Sequence, residues 1–351
     1  MNKGAVYDAL VVTNLPNYYK KNLFNEIGKK CSLFVVFIGG TQKQRNANFL
    51  NMGEGLNFEY AVLNQSLDSR NYMLSCWRLY KIFRSNSFHK LILGEWVNIE
   101  YWFSLLFFKK HNSAMMLESS IHSINGFGVK EVVKAFFLKN VNVVFANGKK
   151  HAELAQFLNF EGKVFQTNGL GIINYGGQEQ EVERGFKFLY VGRLSPEKNL
   201  DTLIKVFNSL PHHLSIVGEG PEYSKLQSIS NNNIHFHGYV NNEELATYYR
   251  SCRALVLISK DEPYGLVAEE ALFFGTPAIV SSVCGIVDTL CFHQKNSLVV
   301  EATDREAIGK AVELIMDNKV YASLKKDCNS QKIMSKNEKQ VKFYTDYIRG
   351  K

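Results

Sequence analysis

Short apolar runs alternate with amphipathic segments along the whole chain. In the first half, apolar runs at 9–13, 33–38 and 141–146 are separated by stretches long enough to form a helix. The second half repeats this pattern almost without interruption between residues 186 and 281. Strands that are buried on both faces of a parallel sheet have such continuous apolar sequences, and helices connect them. The pattern therefore predicts an α/β fold built on doubly wound parallel sheets.

The length of the chain and one glycine-rich segment predict two domains. With 351 residues, 46% of them hydrophobic, the chain is about twice the usual size of a single domain. The segment 168–180 contains Gly169, Gly171, Gly176 and Gly177, which is typical of a connection between domains. We therefore expect a boundary near residue 175, with one domain at 1–170 and a second at 176–330. The lysine-rich tail from about 335 to 351 predicts a helix that packs back on the first domain.

The charge of the chain is divided unevenly. Residues 1–175 contain 20 Lys and Arg against 11 Asp and Glu, whereas residues 176–351 contain 21 against 22. This asymmetry suggests that the first half meets an anionic partner: a phosphorylated acceptor, an anionic lipid surface or nucleic acid. Six scattered cysteines favour a reducing, cytosolic compartment. We expect no leader sequence and no membrane-spanning helix, because no apolar stretch approaches about 20 residues.

Two strand-to-helix junctions in the second half carry the residues of a candidate anion site. The first, Gly192 to Asn199, follows the apolar run 186–191 and contains Arg193 and Lys198. Free amides at a helix N-terminus, its dipole and two cationic side chains together suit a phosphate group. The alternative is that the two charges are simply solvated in a loop.

The second junction, residues 261–272, follows the apolar run 254–258. Pro263 and Gly265 mark the entrance of a helix, with Glu262 in the loop before it and Glu270 inside it. A carboxylate at such a place accepts hydrogen bonds from sugar hydroxyls. The alternative is that Glu262 is a capping acid and that Glu269 and Glu270 are exposed helix charges.

Five elements of the second half together resemble the donor half of retaining family-four glycosyltransferases. They are the sequence GRLSPEKN at 192–199, GEGP at 218–221, HGY at 237–239, and the glutamates Glu262 and Glu270 with seven residues between them. The resemblance covers residues 186–315 and is to enzymes of the kind that build bacterial O-antigen, capsule or other lipid-linked polysaccharides. It implies a GT-B architecture, in which two Rossmann-like domains face a central cleft.

The resemblance also implies roles for individual donor-site residues. Arg193 and Lys198 bind the diphosphate of a nucleotide sugar, Glu270 the ribose hydroxyls and Glu262 the transferred sugar. The remaining donor contacts come from backbone groups at Gly218, Tyr239, Gly265 and Leu266, with Tyr239 facing the base. Such enzymes need no metal and no cofactor, since arginine, lysine and the helix dipole stabilise the leaving diphosphate. Transfer with retention is expected from the family.

The first half departs from the commoner family pattern. In place of a glycine-rich loop after the first strand it has 13–21, in which we expect Asn14, Tyr18, Tyr19 and Lys20 to bind the acceptor. The apolar run 115–117 leads to Glu118, with His122 four residues later. Either of these two is a candidate for orienting or deprotonating the acceptor hydroxyl. The alternative is a helix cap and a solvated imidazole.

Aromatic and basic residues occur together in the first half. Aromatic rings beside lysines suit a membrane interface and a lipid-diphosphate headgroup, although a buried helix explains the aromatic residues slightly better. The residues are Trp96, Tyr101, Trp102, Phe103, Phe107, Phe108, Lys109 and Lys110.

From these observations we expect a metal-independent hexosyltransferase of cell-surface polysaccharide biosynthesis. It would move a hexose or N-acetylhexosamine from a nucleotide-diphosphate sugar, with UDP favoured, to a lipid-linked saccharide. It would act in the cytoplasm, peripherally at the inner face of the membrane, and bind no nucleic acid. The alternatives are a nucleotide-sugar epimerase of the same fold, and a non-enzymic protein that binds sugar or nucleic acid.

Overall fold

The computed structural model describes residues 4–42, 55–124, 126–173, 187–328 and 330–351. The chain divides into two units, which we call unit 1 (Met1–Asn174 with Lys336–Lys351) and unit 2 (Tyr175–Ser335). Gly176 and Gly177, which lie beside the boundary expected near residue 175, are outside the described residues.

Unit 1 contains a seven-stranded parallel sheet in the order β3-β2-β1-β4-β5-β6-β7. Its strands are β1 (Val6–Thr13), β2 (Leu33–Thr41), β3 (Glu59–Ser66), β4 (Ser87–Leu93), β5 (Ser113–Leu117), β6 (Val143–Ala146) and β7 (Lys163–Gln166). The helices that precede the C-terminal segment are α1 (Tyr18–Gly28), α2 (Tyr72–Ser85), α3 (Ile99–Leu105), α4 (Val129–Leu138) and α5 (Lys149–Phe157).

Unit 2 contains a six-stranded parallel sheet in the order β10-β9-β8-β11-β12-β13. Its strands are β8 (Lys187–Val191), β9 (His213–Val217), β10 (Ile234–Gly238), β11 (Ala254–Leu257), β12 (Ala278–Ser281) and β13 (Ser297–Val300). The helices from here to the end of the chain are α6 (Leu200–Asn208), α7 (Tyr223–Ser228), α8 (Asn242–Ser251), α9 (Leu266–Phe273), α10 (Arg305–Met316), α11 (Asn318–Lys326) and α12 (Ser330–Ile348).

Strand β1 shows why apolar runs without alternation form these sheets. Leu10 and Val12 belong to one buried cluster, and Ala9 and Val11 belong to another on the opposite face. Because successive side chains of a strand point to opposite faces, a strand covered by helices on both sides must be apolar throughout. Two Rossmann-like parallel-sheet units are therefore present, and the predicted α/β class with doubly wound parallel sheets is confirmed.

Helix α12 places its C-terminal part against the sheet of unit 1. Tyr344 stacks on Phe145 of β6 with the ring centroids 3.9 Å apart, and the Tyr347 hydroxyl donates to the Leu91 carbonyl oxygen at 3.1 Å. Val341 and Ile348 lie in the same buried cluster. Lys332, Lys339 and Lys342 lie on the outward side of this helix, whereas Lys336 is buried and its Nζ atom donates to the Gly171 carbonyl oxygen at 3.4 Å.

Each sheet reverses its strand order at one point. In unit 1 the reversal lies between β1 and β4, and in unit 2 it lies between β8 and β11. Ligands of open α/β sheets bind at the carboxyl ends of the strands that flank such a reversal. The loops after β1 and β4, and after β8 and β11, are therefore the places to look for a site. Among the described residues, no helix combines the length and apolar character that crossing a bilayer requires.

Candidate functional site

The loop after β8 in unit 2 is anchored by a buried asparagine. Asn199 has φ +60° and is inaccessible to solvent, and its side-chain amide donates to the carbonyl oxygens of Ile258 at 3.1 Å and Ala302 at 2.7 Å. Asparagine tolerates this left-handed conformation better than most residues. The anchor ties the β8 loop to the end of β11, so that residues of both loops are held close together.

Lys198 and Glu262 meet at this point. The Lys198 Nζ atom lies 2.7 Å from Glu262 Oε2, and each side chain is 14% exposed. The Ser259 hydroxyl lies 3.5 Å from the same oxygen. An ion pair that is mostly buried yet reachable from solvent is a suitable receptor for a ligand that carries both phosphate and hydroxyl groups.

Arg193 lies nearer the surface, where its side chain is 46% exposed and pairs with Glu197 at 3.3 Å. Burial raises the pKa of Glu197, but hydrogen bonds from Ser195 and the backbone, together with Arg193, outweigh burial and leave that pKa below its ordinary value.

Burial and the nearby carboxylates of Glu262 and Glu197 raise the pKa of Tyr190 well above its ordinary value. The Tyr190 hydroxyl therefore stays protonated, and it donates to the Arg193 carbonyl oxygen at 2.8 Å.

Two turns approach closely beside this loop. Gly218 has φ +134°, and a Cβ atom there would lie 1.9 Å from the Gly192 carbonyl oxygen, so only glycine fits. The Gly218 amide donates to the Gly238 carbonyl oxygen at 2.7 Å, which places Tyr239 next to the same turn. The Tyr239 side chain is 37% exposed. Gly218 and Tyr239, which were both predicted in the donor site, therefore lie near each other at the carboxyl edge of the sheet.

Helix α9 carries Glu270, the second carboxylate of the predicted donor site after Glu262. Gly265, with φ +104°, caps the helix before Leu266, and Glu270 inside it is only 6% exposed. The Tyr249 hydroxyl donates a short hydrogen bond to Glu270 Oε2. The neighbouring Glu269 is fully buried and accepts a hydrogen bond from the Tyr264 hydroxyl at 2.8 Å. The alternative in which Glu269 and Glu270 are exposed helix charges is therefore wrong.

In unit 1, the residues after β1 and β5 form one hydrogen-bonded cluster. Lys20 Nζ lies 2.6 Å from Glu118 Oε1, and it also donates to Thr13 Oγ1 at 3.2 Å and Asn14 Oδ1 at 3.1 Å. The Lys20 side chain is 2% exposed, whereas that of Glu118 is 28% exposed. Glu118 and Asn14 are the members of the cluster that a ligand can reach.

This arrangement corrects part of the predicted acceptor site. Lys20 and Tyr19, at 2% and 3% exposure, support the cluster from within and do not line a surface. The hydroxyl of Tyr19 accepts a hydrogen bond from the Asn17 side chain at 2.9 Å. Tyr18 is half-buried, and His122 lies exposed in a short 3-10 turn after β5. Glu118 and Asn14 therefore have a hydrogen-bonded setting, and the role of His122 stays a prediction.

The sequence analysis missed Glu95, which follows β4 at the same sheet edge. It is 9% exposed and accepts hydrogen bonds from the backbone amides of Glu118 and Ser119 and from the Ser119 hydroxyl at 2.6 Å. Burial, followed by repulsion from Glu118, raises the pKa of Glu95 to about 7. The sequence contains one signal that could have identified Glu95. It is an acidic residue directly after the apolar run 91–94, at the end of the strand that lies next to β1.

The aromatic residues singled out in the sequence are mostly structural. Tyr101 is buried, and Trp102 donates from its indole nitrogen to the Trp96 carbonyl oxygen at 2.8 Å. Phe103 and Phe108 pack against the core, whereas Phe107 remains 42% exposed. The alternative of a buried helix is thus correct for most of the set.

Exposed apolar side chains form a surface on α2, α4 and the segment around α3. The Tyr80 and Phe107 rings lie 6.0 Å apart and link α2 to α3, while Trp102 and Phe136 lie 6.0 Å apart and link α3 to α4. We call this surface the apolar face. Its exposed members are Met73, Trp77, Tyr80, Leu106, Phe107, Val129, Val132, Val133 and Phe136. Exposed lysines accompany it at positions 81, 109, 110, 130 and 139.

No group of three or more His, Cys, Asp or Glu side chains within the described ranges is arranged to hold a metal ion. The metal independence expected from the sequence stays a prediction.

Comparison with known proteins found a family match in the half of the chain that holds the Lys198–Glu262 pair. Residues 174–341 match the family described as glycosyl transferases group 1. The match covers slightly less than half of the chain. An uncharacterized glycosyltransferase of Methanocaldococcus jannaschii is 27% identical over 161 residues, which is 44% of this chain and 46% of that protein. The chain thus matches slightly less than half the length of its first curated relatives.

Two solved structures are similar to nearly the whole chain, including the part outside residues 174–341. The lipopolysaccharide outer core galactosyltransferase WaaB has a TM-score of 0.69 at 13% identity, covering 99% of both chains. The Anabaena protein HepE, solved with UDP and glucose, has a TM-score of 0.71 at 15% identity, covering 98% of this chain and all of that one. At such identities the likeness establishes the fold.

Proposed function

We propose that this chain is a retaining glycosyltransferase that moves a hexose or N-acetylhexosamine from a UDP sugar to a lipid-linked saccharide. One observation carries the proposal: in the group 1 segment, the Lys198–Glu262 pair lies at the sheet reversal of unit 2, beside the entrance of α9. A UDP sugar presents a diphosphate next to sugar hydroxyls, and this arrangement has a cation for the first and a carboxylate for the second.

The chemical step depends on stabilising the departing diphosphate. Glycosyl transfer passes through an oxocarbenium-like state in which negative charge builds up on the leaving group. Lys198, the more exposed Arg193 and the free amides at the start of α9 supply positive potential for that charge. Glu262 orients the sugar, and Glu270, held by Tyr249, accepts hydrogen bonds from the ribose. No step requires a metal ion.

The choice of UDP and of a lipid-linked acceptor has separate support. HepE, whose fold this chain shares, was solved with UDP and glucose. WaaB, a second neighbour, is described as a lipopolysaccharide outer core galactosyltransferase. The apolar face of unit 1 and its lysines suit an anionic bilayer, so we place the enzyme peripherally at the inner face of the cytoplasmic membrane, in the assembly of cell-surface polysaccharides such as O-antigen or capsule.

A transfer assay tests the proposed reaction. The protein is incubated with a bacterial lipid extract and with UDP-glucose, UDP-galactose or UDP-N-acetylglucosamine labelled in the sugar. We expect label to enter the lipid fraction from one of these donors, with UDP released in equal amount. A changed UDP sugar formed without lipid would contradict transfer and identify an epimerase. Absence of any turnover with all donors would contradict the reaction itself.

Vesicle binding tests the membrane role of the apolar face. Val129 and Val132 on α4 are 82% and 55% exposed, so charging them costs the folded protein little. We expect the double variant Val129→Glu, Val132→Glu to bind vesicles containing phosphatidylglycerol ~10-fold more weakly, because it places two carboxylates against an anionic surface. Cosedimentation measures this binding. The control is Leu314→Glu on α10 of unit 2, where Leu314 is 45% exposed. Equal binding by the two variants would contradict a membrane role for the apolar face.

A further inference from the structure

Glu95 joins the ends of two neighbouring strands in unit 1. Strands β4 and β5 are paired in parallel, with Leu93 opposite Met115, so that Glu95 and Glu118 follow the two strands at the same edge. One oxygen of the Glu95 carboxylate accepts from the amides of Glu118 and Ser119, and the other accepts from the Ser119 hydroxyl at 2.6 Å. The backbone at Glu118 is therefore held in place by the Glu95 side chain.

The Glu118 carboxylate is fixed from its other side by Lys20. The ammonium of Lys20 has three hydrogen-bond donors, and all three have acceptors here: Glu118, Thr13 and Asn14. Because Lys20 is almost fully buried, its charge acts on this cluster and not on bulk solvent. The Glu118 side chain keeps 28% of its surface exposed. An oriented carboxylate is thereby presented at the sheet reversal of unit 1.

The cluster contains two carboxylates and one cation. Burial and the repulsion of Glu118 raise the pKa of Glu95 to about 7. The phenols of Tyr101 on α3 and Tyr344 on α12 also feel Glu118, and burial, with a smaller contribution from Glu118, raises the pKa of both. Both phenols stay neutral near pH 7, whereas Glu95 gains its negative charge as the pH rises through about 7.

We propose that Glu95 is a positioning residue that holds the Glu118 carboxylate in the orientation in which it accepts a hydrogen bond from an acceptor sugar hydroxyl. The inference rests on the proposed function, since it assigns the acceptor side of that reaction. It also defines the acceptor group that this edge takes. A neutral, hydroxyl-bearing sugar suits this edge, because the exposed group of the cluster is the Glu118 carboxylate and the cation beside it, Lys20, is buried.

The first test measures the titration of the cluster without any substrate. Carboxyl carbons of glutamate are labelled with ¹³C in the full chain and followed by NMR between pH 4 and 9. We expect one carboxyl to titrate near pH 7, to be lost in Glu95→Gln, and to move to lower pH in Glu118→Gln. Glu161→Gln, at an exposed position of unit 1, is the control and leaves that signal in place. Persistence of the signal in Glu95→Gln would overturn the proposal.

The second test separates positioning from simple structural support. Glutamine keeps the length and one acceptor oxygen of Glu95, so Glu95→Gln keeps the hydrogen bonds from the amides of Glu118 and Ser119 but loses the charge and the acceptor for the Ser119 hydroxyl. With octyl glycosides as acceptor probes, we expect Glu95→Gln to raise the acceptor KM ~10-fold, the effect of weakening one hydrogen bond to a charged group. We also expect it to remove the inflection near pH 7 from kcat/KM and to leave UDP binding unchanged in calorimetry.

The outcomes of this second test distinguish the inference from the proposed function. If Glu95→Gln binds UDP and its acceptor KM and pH profile match those of the unsubstituted protein, the positioning role alone is overturned. Absence of UDP binding to the unsubstituted protein would overturn the proposed function and, with it, the acceptor role of Glu118.

Discussion

Replacing Lys198 by alanine is expected to lower the rate of sugar transfer by ~10²–10³, the usual cost of removing one preorganised group that stabilises charge in a transition state. Lys198 is held 2.7 Å from Glu262 in a pocket where each side chain is 14% exposed. The variant loses the cation that faces the leaving diphosphate, and it also leaves Glu262 without its partner. The residual negative charge then opposes the charge that develops in transfer, which strengthens the effect.

The matched control for Lys198 is Lys205 on α6. Its side chain is 48% exposed and lies 3.9 Å from Asp201, in the same unit but within a solvent-exposed pair. Lys205→Ala is expected to keep the rate of the unsubstituted protein. The measurement is the initial rate of UDP release with acceptor present. If both lysine variants lost activity equally, general charge and not a placed cation would account for the effect of Lys198.

Removing the Glu100 carboxylate is expected to destabilise unit 1 by about 3–5 kcal/mol, since it leaves a buried arginine without its counter-ion. Glu100 is fully buried and accepts from Arg70 Nε at 2.8 Å and Arg70 Nη2 at 3.2 Å. Arg70 is itself 8% exposed, and its other donors go to the Leu67 carbonyl oxygen at 2.6 Å and the Asn98 side chain at 2.8 Å. In Glu100→Ala these neutral acceptors remain, but the charge of Arg70 stays buried without a carboxylate to balance it.

Urea unfolding followed by tryptophan fluorescence measures this loss in unit 1 alone. All three tryptophans, Trp77, Trp96 and Trp102, lie in that unit, so unfolding of unit 2 adds little to the signal. The control is Glu26→Ala, which breaks a pair with Lys29 in which the side chains are 41% and 51% exposed. It is expected to cost less than about 1 kcal/mol. A Glu100→Ala midpoint no lower than that of Glu26→Ala would contradict the role of this buried pair.

The fold and the donor residues of unit 2 could be predicted because the information is local in sequence. A strand buried on both faces requires an apolar run, and the loop that follows it carries its functional residues within a few positions. Lys198 and Glu262 each stand in the loop that follows such a run, seven and four positions after it, and the structure brings their side chains into contact. The pairing itself depends on β8 and β11 being neighbours in the sheet, which the resemblance to a family supplied and periodicity alone could not.

The cluster of unit 1 could not be predicted because it depends on contacts between distant residues. Glu95 and Glu118 are 23 positions apart, and only the pairing of β4 with β5 makes them neighbours. Lys20 was predicted to bind the acceptor, yet Thr13, Asn14 and Glu118, at or just after the ends of β1 and β5, hold it inside. Burial of a charged side chain follows from partners that no local pattern reveals.

The apolar face was missed for a related reason. In α4, Phe137 is buried in the core while Phe136 beside it is 59% exposed. Both faces of this helix are therefore apolar in part, and composition cannot tell which face the rest of the protein covers. The aromatic residues near α3, which the sequence pattern singled out, mostly pack inward.

Binding of UDP to the full chain, measured by isothermal titration calorimetry, tests whether Glu270 is part of a donor site in unit 2. Glu270→Gln and Glu306→Gln are measured in parallel, since Glu270 is 6% exposed and bonded to Tyr249 whereas Glu306 is 79% exposed on α10. The unsubstituted protein and Glu306→Gln are expected to bind UDP alike, and Glu270→Gln is expected to bind it at least ~10-fold more weakly, as for a lost hydrogen bond to a charged group. Failure of the unsubstituted protein to bind UDP, or equal binding by the Glu270 and Glu306 variants, would contradict a UDP-sugar site built on these residues.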